Sequence, residues 1–258
     1  MTEGRHDWAA TFEAEYAAPP SAVQARVWRE VLGDEYPAEV EPYSYVSVSE
    51  LHRFAHDLRV GPGDTLVDVG CGRGGPGLWV AARTGVVLVG LDIAERALAE
   101  SRRRARAVGL AGATTFRTGS FEDTGLAAGS ADAVMSIDSF LFATDKARAL
   151  SELARVLRPG GRLAFTSWDF DGQPPDRPPQ VRDHRPLLED AGLAVLAYDE
   201  TDDWRTRQDR TNEGLLAAAE ALAAESGEDA GAVRDGVAHM MLVASYVSRR
   251  VFVVAQRR

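Results

Sequence analysis

The chain has 258 residues, 45% of them hydrophobic, and its 29 basic and 39 acidic side chains leave a formal net charge of −10. That is enough apolar material for one full core, or one core with a cap, and the acidic balance argues against a generic binder of nucleic-acid backbones. Cys71 is the only cysteine, so no intrachain disulfide can form and a cytoplasmic setting is expected. No stretch has the length and apolarity of a membrane span, so no membrane partner is expected either.

Residues 1–60 are helical and aromatic, with a turn-rich stretch, EYPAEVEPYSY, around Pro37 and Pro42, and are expected to form a lid. From Leu66 to Ala81 the chain reads LVDVGCGRGGPGLWVA: an apolar strand, a glycine turn and a helix start. Gly70, Gly72 and Gly75 give the G-x-G-x-x-G spacing, which lets backbone approach a flat ligand at a helix N-terminus. Dinucleotide enzymes use the same turn for a pyrophosphate. Asp68, two residues before the first glycine, would repel a pyrophosphate and attract a ligand carrying an ammonium and a sulfonium. S-adenosyl-L-methionine fits that description. Asp92 ends the next apolar run and can accept hydrogen bonds from ribose hydroxyls, a role that both kinds of cofactor require.

Further along, Val86–Leu91 reads as strand, Ala94–Val108 as helix, Thr114–Thr118 and Ala133–Ile137 as strands, Lys146–Leu157 as helix and Arg162–Ser167 as strand. A helix closing at Gly192, a strand over Leu193–Tyr198 and a last strand over Val251–Ala255 complete the pattern. The alternation of the first strands with helices specifies a parallel α/β arrangement, and the whole reads as a Rossmann-like seven-stranded sheet with helices on both faces. The expected division is a lid over 1–60, the core over 61–199, a helical cap of two stretches inserted over 200–248, and the last core strand over 249–258. The proline-rich loop from Trp168 to Pro179 and the cap should both sit where such sheets bind ligands, outside the C-terminal strand ends.

The order LVDVGCGRGG, GLD, FRTGSFED, DAVMSID and LARVLRPGGRLAF resembles a class I S-adenosylmethionine-dependent methyltransferase of the small-molecule, natural-product type, over about residues 62–199. The resemblance implies methyl transfer to O, N or an activated C of a fairly apolar small molecule, with S-adenosyl-L-homocysteine as the second product. It places Asp68, Gly70, Cys71 and Gly72 along the methionine part, Asp92 on the ribose, and Ile93, Ser120 and Phe121 around the adenine. Many relatives have Asp where this chain has Ser120, so Glu122 or Asp123 is the candidate substitute. Ile137 should lie beside the reactive methyl, and Tyr45 matches an aromatic position folded over the cofactor. Tyr43, Trp168 and His239 are candidates for the acceptor site.

Two candidates remain for catalysis. Asp138, at the end of the fourth strand, can orient the acceptor or take its proton, or else act as a turn or helix-cap carboxylate. His184, on RDHRPLLEDAG, is a weaker one that is expected to face solvent. No histidine follows Asp138 in the Phe140–Phe142 stretch, which counts against simple base-assisted O-methylation. No metal is expected, since displacement at a sulfonium needs no Lewis acid and no ligand-spaced cluster exists; Asp138 with Asp169 is a thin basis for one. The alternative reading is an S-adenosylmethionine-binding enzyme of this fold that catalyses a cyclisation or decarboxylation. A nicotinamide oxidoreductase is disfavoured by Asp68 and by the lack of a Y-x-x-x-K pair.

Overall fold

In the computed structural model, which describes residues 6–41 and 43–258, seven strands make one sheet in the order β3-β2-β1-β4-β5-β7-β6. They are β1 (Thr65–Val69), β2 (Val87–Asp92), β3 (Thr114–Thr118), β4 (Ala131–Ile137), β5 (Leu157–Phe170), β6 (Leu193–Glu200) and β7 (Val247–Arg257). Pro42, expected to sit in the lid's turn, lies outside the described residues, as do residues 1–5.

Alternate residues of each inner strand face opposite layers, so Leu66 and Val67 enter different cores. On one face α3 (Val48–Asp57), α4 (Gly75–Thr84) and α5 (Glu95–Ala107) bury Phe54, Trp79 and Leu98 against Leu66, Leu88 and Phe252. On the other, α6 (Lys146–Val156) and α7 (Arg185–Asp190) bury Leu150, Leu153 and Leu188 against Val67, Val134 and Phe165.

The sheet is mixed: β7 runs antiparallel to both neighbours, β5 and β6. The connection explains this. The chain leaves β6 at the ligand end of the sheet, builds the cap there, and re-enters the sheet from that same end, so the next strand must point the other way. The cap has three helices where two were expected: α8 (Trp204–Ala217), α9 (Ala219–Ser226) and α10 (Ala230–Ala244). From the lid, α2 (Ala22–Leu32) packs against α8 and α9, and Val27 shares an apolar cluster with Leu215 and Val237. Lid and cap thus form one roof over the strand ends.

One position in β2 tests how tightly the glycine loop is packed on the sheet. A Cβ on Gly90 would run into the Phe116 ring and reach 3.0 Å from Cys71 Sγ. Gly90→Ala is expected to cost about 1–3 kcal/mol in urea unfolding through overpacking; unchanged stability would contradict this packing.

Candidate functional site

The glycine loop is drawn onto β2 by hydrogen bonds from the backbone of Gly70 and Cys71 to the carbonyl of Leu91, at 2.8 and 3.0 Å. Gly70 and Gly72 adopt φ of 71° and 52°, left-handed values that side chains resist. Asp92 Oδ2 accepts from the Gly72 amide at 2.8 Å and Oδ1 from the Ala94 amide at 3.0 Å, so this carboxylate already shapes the loop. Asp68, at the end of β1, is 3% exposed and has no hydrogen-bond partner among the described residues. Burial, then the charge of Asp92, pushes its carboxyl up to about 7. Asp92 is also raised by burial, against the pull of its backbone amides.

Gly70, Cys71, Gly72, Asp68 and Ile137 line one groove, as the sequence leads one to expect. Cys71 is buried and its thiol is pushed well up by burial, which suits a wall and not a nucleophile.

The groove's outer wall was not legible beforehand. Tyr16, the C-cap of helix α1 (Trp8–Glu15), lines it, and Trp8 and Phe12 precede Tyr16 at four-residue spacing on the same helix. Trp8 and Phe12 each stand 4.9 Å from the Phe142 ring, and Tyr16 Oη lies 2.7 Å from where a Gly72 Cβ would sit. Arg73 donates to the Ala18 carbonyl at 2.6 Å, Arg96 pairs with Glu13 at 3.1 Å, and Tyr43 donates to Glu15. With Tyr16 and Tyr43 as walls the groove has a volume of about 60 Å³. The aromatic spacing of residues 8, 12 and 16 is the signal that could have found this helix face.

Tyr43 and Tyr45 exchange their expected places. Tyr43 lines the groove, whereas Tyr45 is not among its lining residues and sets its ring edge-on to Trp168 at 6.2 Å. Trp168 is buried with Leu141, Phe170, Trp204 and Val243 beneath the cap.

Asp138 is not a free base. Its carboxylate receives Arg250 Nε at 3.0 Å and Nη2 at 3.1 Å, and the Tyr45 amide at 2.9 Å. Arg250 also donates to Glu50, which closes a capping box with Ser47 at the start of α3. Asp138 itself has φ of 51°, a left-handed turn held by its amide bond to Thr166 Oγ1 at 3.0 Å. Burial, opposed by Arg250, lifts the Asp138 pKa, while Asp138 and Glu50 outweigh burial in holding Arg250 charged. The cluster ties the lid to β4 and β7. Of its members, Ser47 and Glu50 show the S-x-x-E cap pattern in sequence; Arg250, inside an apolar strand, carries no motif.

His184 corrects a second expectation: it is fully buried, not solvent-facing. Its Nδ1 meets Asp169 Oδ1 at 2.9 Å and Tyr198 Oη at 3.2 Å, and its ring packs between Phe140 and Phe165. Asp169 also receives Tyr198 Oη at 2.7 Å and Arg249 Nε at 2.6 Å. With Asp138 held by Arg250, neither acid has the free oxygen atoms that a shared metal would need.

At the expected adenine edge Phe121 is buried against Phe140, and Ile93 is half-buried just past Asp92. Ser120 Oγ accepts from the Asp123 amide at 3.1 Å, closing a turn. Of the two substitute acids, Glu122 Oε1 accepts from the Thr144 and Asp145 amides, and the exposed Asp123 accepts from the Gly125 amide through Oδ1. His239 is half-buried on α10, outside both the groove lining and the Trp168 cluster, and Met240 and Met241 beside it are exposed.

Comparison with known proteins falls on the same residues. A family model described as a methyltransferase domain matches residues 67–165. Methyltransferase GfsG of Streptomyces halstedii is 33% identical over 129 residues, 50% of this chain and 46% of that protein. Squalene methyltransferase 2 of Botryococcus braunii is 36% identical over 127 residues, 48% of this chain and 34% of that one. The matched region thus spans less than half the length of these relatives. In fold, geranyl diphosphate C-methyltransferase from Streptomyces coelicolor superposes with a TM-score of 0.68 at 20% identity, over 98% of this chain and 99% of that one. The [4+2]-cyclase SpnF superposes at 0.70 and 20% identity, over 93% and 97%.

The Arg250 cluster yields a test of the role given to Asp138. Arg250→Met leaves Glu50 and Asp138 buried without their cation and is expected to cost about 3–5 kcal/mol in denaturant unfolding. A loss under about 1 kcal/mol, the worth of an exposed pair, would contradict the cluster's structural role.

Proposed function

We propose that the protein, whose residues 67–165 match a methyltransferase domain, moves a methyl group from S-adenosylmethionine to an O, N or activated C atom of a small, fairly apolar molecule in natural-product biosynthesis. The observation that carries this reading is Asp68: a buried carboxylate, unpartnered, at the floor of a glycine-lined groove and raised to about 7 by burial and by Asp92. Such a group calls for a cationic ligand. A Cβ at Gly70 or Gly72 would collide with Ser139 or Tyr16, so the loop's path requires glycine at both.

Asp68 would hold the methionine ammonium, and Asp92, with both oxygens already anchored on the loop, would accept from the ribose hydroxyls. Ile93, Ser120 and Phe121 would border the adenine. When bound, the cofactor supplies an electrophilic methyl on a sulfonium. The chain's part is alignment and exclusion of water, which such a displacement mainly needs. Tyr16, Tyr43 and Ile137 close the groove. With Asp138 held by Arg250, an acceptor proton leaves to water. The aromatic cluster of Trp168, Trp204 and Tyr45 under the cap supports an apolar acceptor, as do relatives named for squalene and geranyl diphosphate.

Methyl-labelled S-adenosylmethionine and a panel of apolar acceptors decide the reading by mass spectrometry. Expected is a product heavier by one labelled methyl, with S-adenosylhomocysteine formed in equal amount and turnover undiminished in EDTA. Conversion without methyl gain, leaving the cofactor intact, would establish the cyclisation or decarboxylation alternative instead, and activity restored only by magnesium would overturn the metal-free mechanism.

A second expectation follows from the raised Asp68. Ammonium binding needs the carboxylate, so affinity for S-adenosylhomocysteine is full above pH 7 and falls as pH drops through about 7, by up to roughly tenfold per unit. Asp68→Asn should bind more weakly and show no such dependence in calorimetry between pH 6 and 8; an unchanged pH profile would remove Asp68 from the ammonium site.

A further inference from the structure

The end of the sheet opposite the glycine loop holds a second cavity, of about 380 Å³, with Arg59, Arg158, Arg162, Asp64 and Asp132 on its walls. Its acids are already engaged. Asp132 pairs with Arg158 and accepts from the Thr65 amide at 2.8 Å, and Asp64 accepts from the Gly61 amide at 2.9 Å. Arg158 is thereby neutralised, but the other two arginines are not. Arg59 has no salt bridge or side-chain hydrogen bond among the described residues, and Arg162 donates only to the backbone carbonyl of Asp57, at 2.7 Å. The Asp57 carboxylate is occupied by Arg53 and His56. Burial and the nearby charge of Arg59 disfavour the charged form of Arg162, and outweigh the opposing pull of Asp57. Arg59 and Arg162 thus share one cavity without an ion-pair partner, and with Arg158 they outnumber its two acids, Asp64 and Asp132, on a chain whose net charge is −10.

The backbone adds an independent sign. Just past the ends of α2, α4, α5, α7 and α9 the chain turns left-handed at Gly33, Gly85, Gly109, Gly192 and Gly227, where glycine is the unstrained choice. Past the end of α3 the same left-handed turn, φ of 52°, is made by Arg59. A side chain is kept there against the preference of the backbone, and it is one of the two unpaired cations.

We propose that this cavity is a binding site for a phosphoryl dianion, either free phosphate or a phosphate monoester, gripped between Arg59 and Arg162. Planar guanidinium forks match phosphate oxygens, and a dianion relieves the repulsion between them. The site lies at the far ends of the strands from the glycine loop and is independent of the methyl-transfer reading.

The test is calorimetric titration of the full chain with inorganic phosphate and with phenyl phosphate, against sodium chloride of equal ionic strength. Saturable binding of at least one of the two, absent with chloride, is expected. A tighter monoester assigns the site to a phosphorylated small molecule, and equal or tighter inorganic phosphate assigns it to the free ion. Arg59→Gly suits the local backbone, so its melting temperature should be equal to or above that of the parent, with phosphate affinity down roughly tenfold or more. Arg162→Gln should lose affinity similarly, and both variants should bind S-adenosylhomocysteine as the parent does. No phosphate-specific heat in the parent, or parental phosphate affinity in folded Arg59→Gly and Arg162→Gln, would overturn the proposal.

Discussion

Asp68 and Asp92 end adjacent parallel strands, so the register that pairs β1 with β2 brings two carboxylates to the same buried edge. Neither has an ion-pair partner among the described residues. Two like charges in a poorly solvated place cannot both be comfortable, and the strain is divided by their surroundings. Asp92 is relieved by the amides of Gly72 and Ala94, which explains why the loop takes its tight left-handed path. Asp68 is relieved by nothing in the chain, and so it is the group whose pKa climbs toward neutrality. A cationic ligand is the missing term, and the glycine path leaves room for it at the cost of strain that only glycine tolerates.

A different electrostatic solution holds the roof. Arg250 enters the site from β7 and is neutralised by Asp138 of the β4 end and Glu50 of α3, with the Tyr45 amide completing the set. Three elements distant in sequence meet at one guanidinium. Breaking such a buried cluster is costly even where its net contribution is small, so it defines the position of the segment running from Tyr43 into α3. Tyr43 therefore reaches the groove with a rigid hinge behind it, whereas α1, which buries no residue of its own, rests on exposed contacts.

Much of the core was legible in the sequence because its signals are local. The G-x-G-x-x-G turn, the acids at the ends of β1 and β2 and the alternation of short apolar runs each depend on a few neighbouring residues, and Gly70, Gly72, Asp68 and Ile137 gather in one groove as expected. What failed depends on contacts distant in sequence. Asp138 reads as a candidate base until Arg250, 112 residues away, takes its oxygens. His184 reads as a solvent-facing helix residue until Asp169 and Tyr198 bury it. Tyr43, and not Tyr45, lines the groove, while the Tyr45 amide is bound to Asp138, 93 residues away.

The central claim, that Asp68 is a buried acid waiting for a cation, is tested most directly by counting protons. Calorimetry of S-adenosylhomocysteine binding at pH 6, in buffers of different ionisation enthalpy, gives the number released per ligand bound. With the Asp68 pKa at about 7 in the free protein, about 0.9 of a proton should leave as the carboxylate forms beside the ammonium, and close to none at pH 8.5. Binding at pH 6 with no proton released, or with one taken up, would contradict the account.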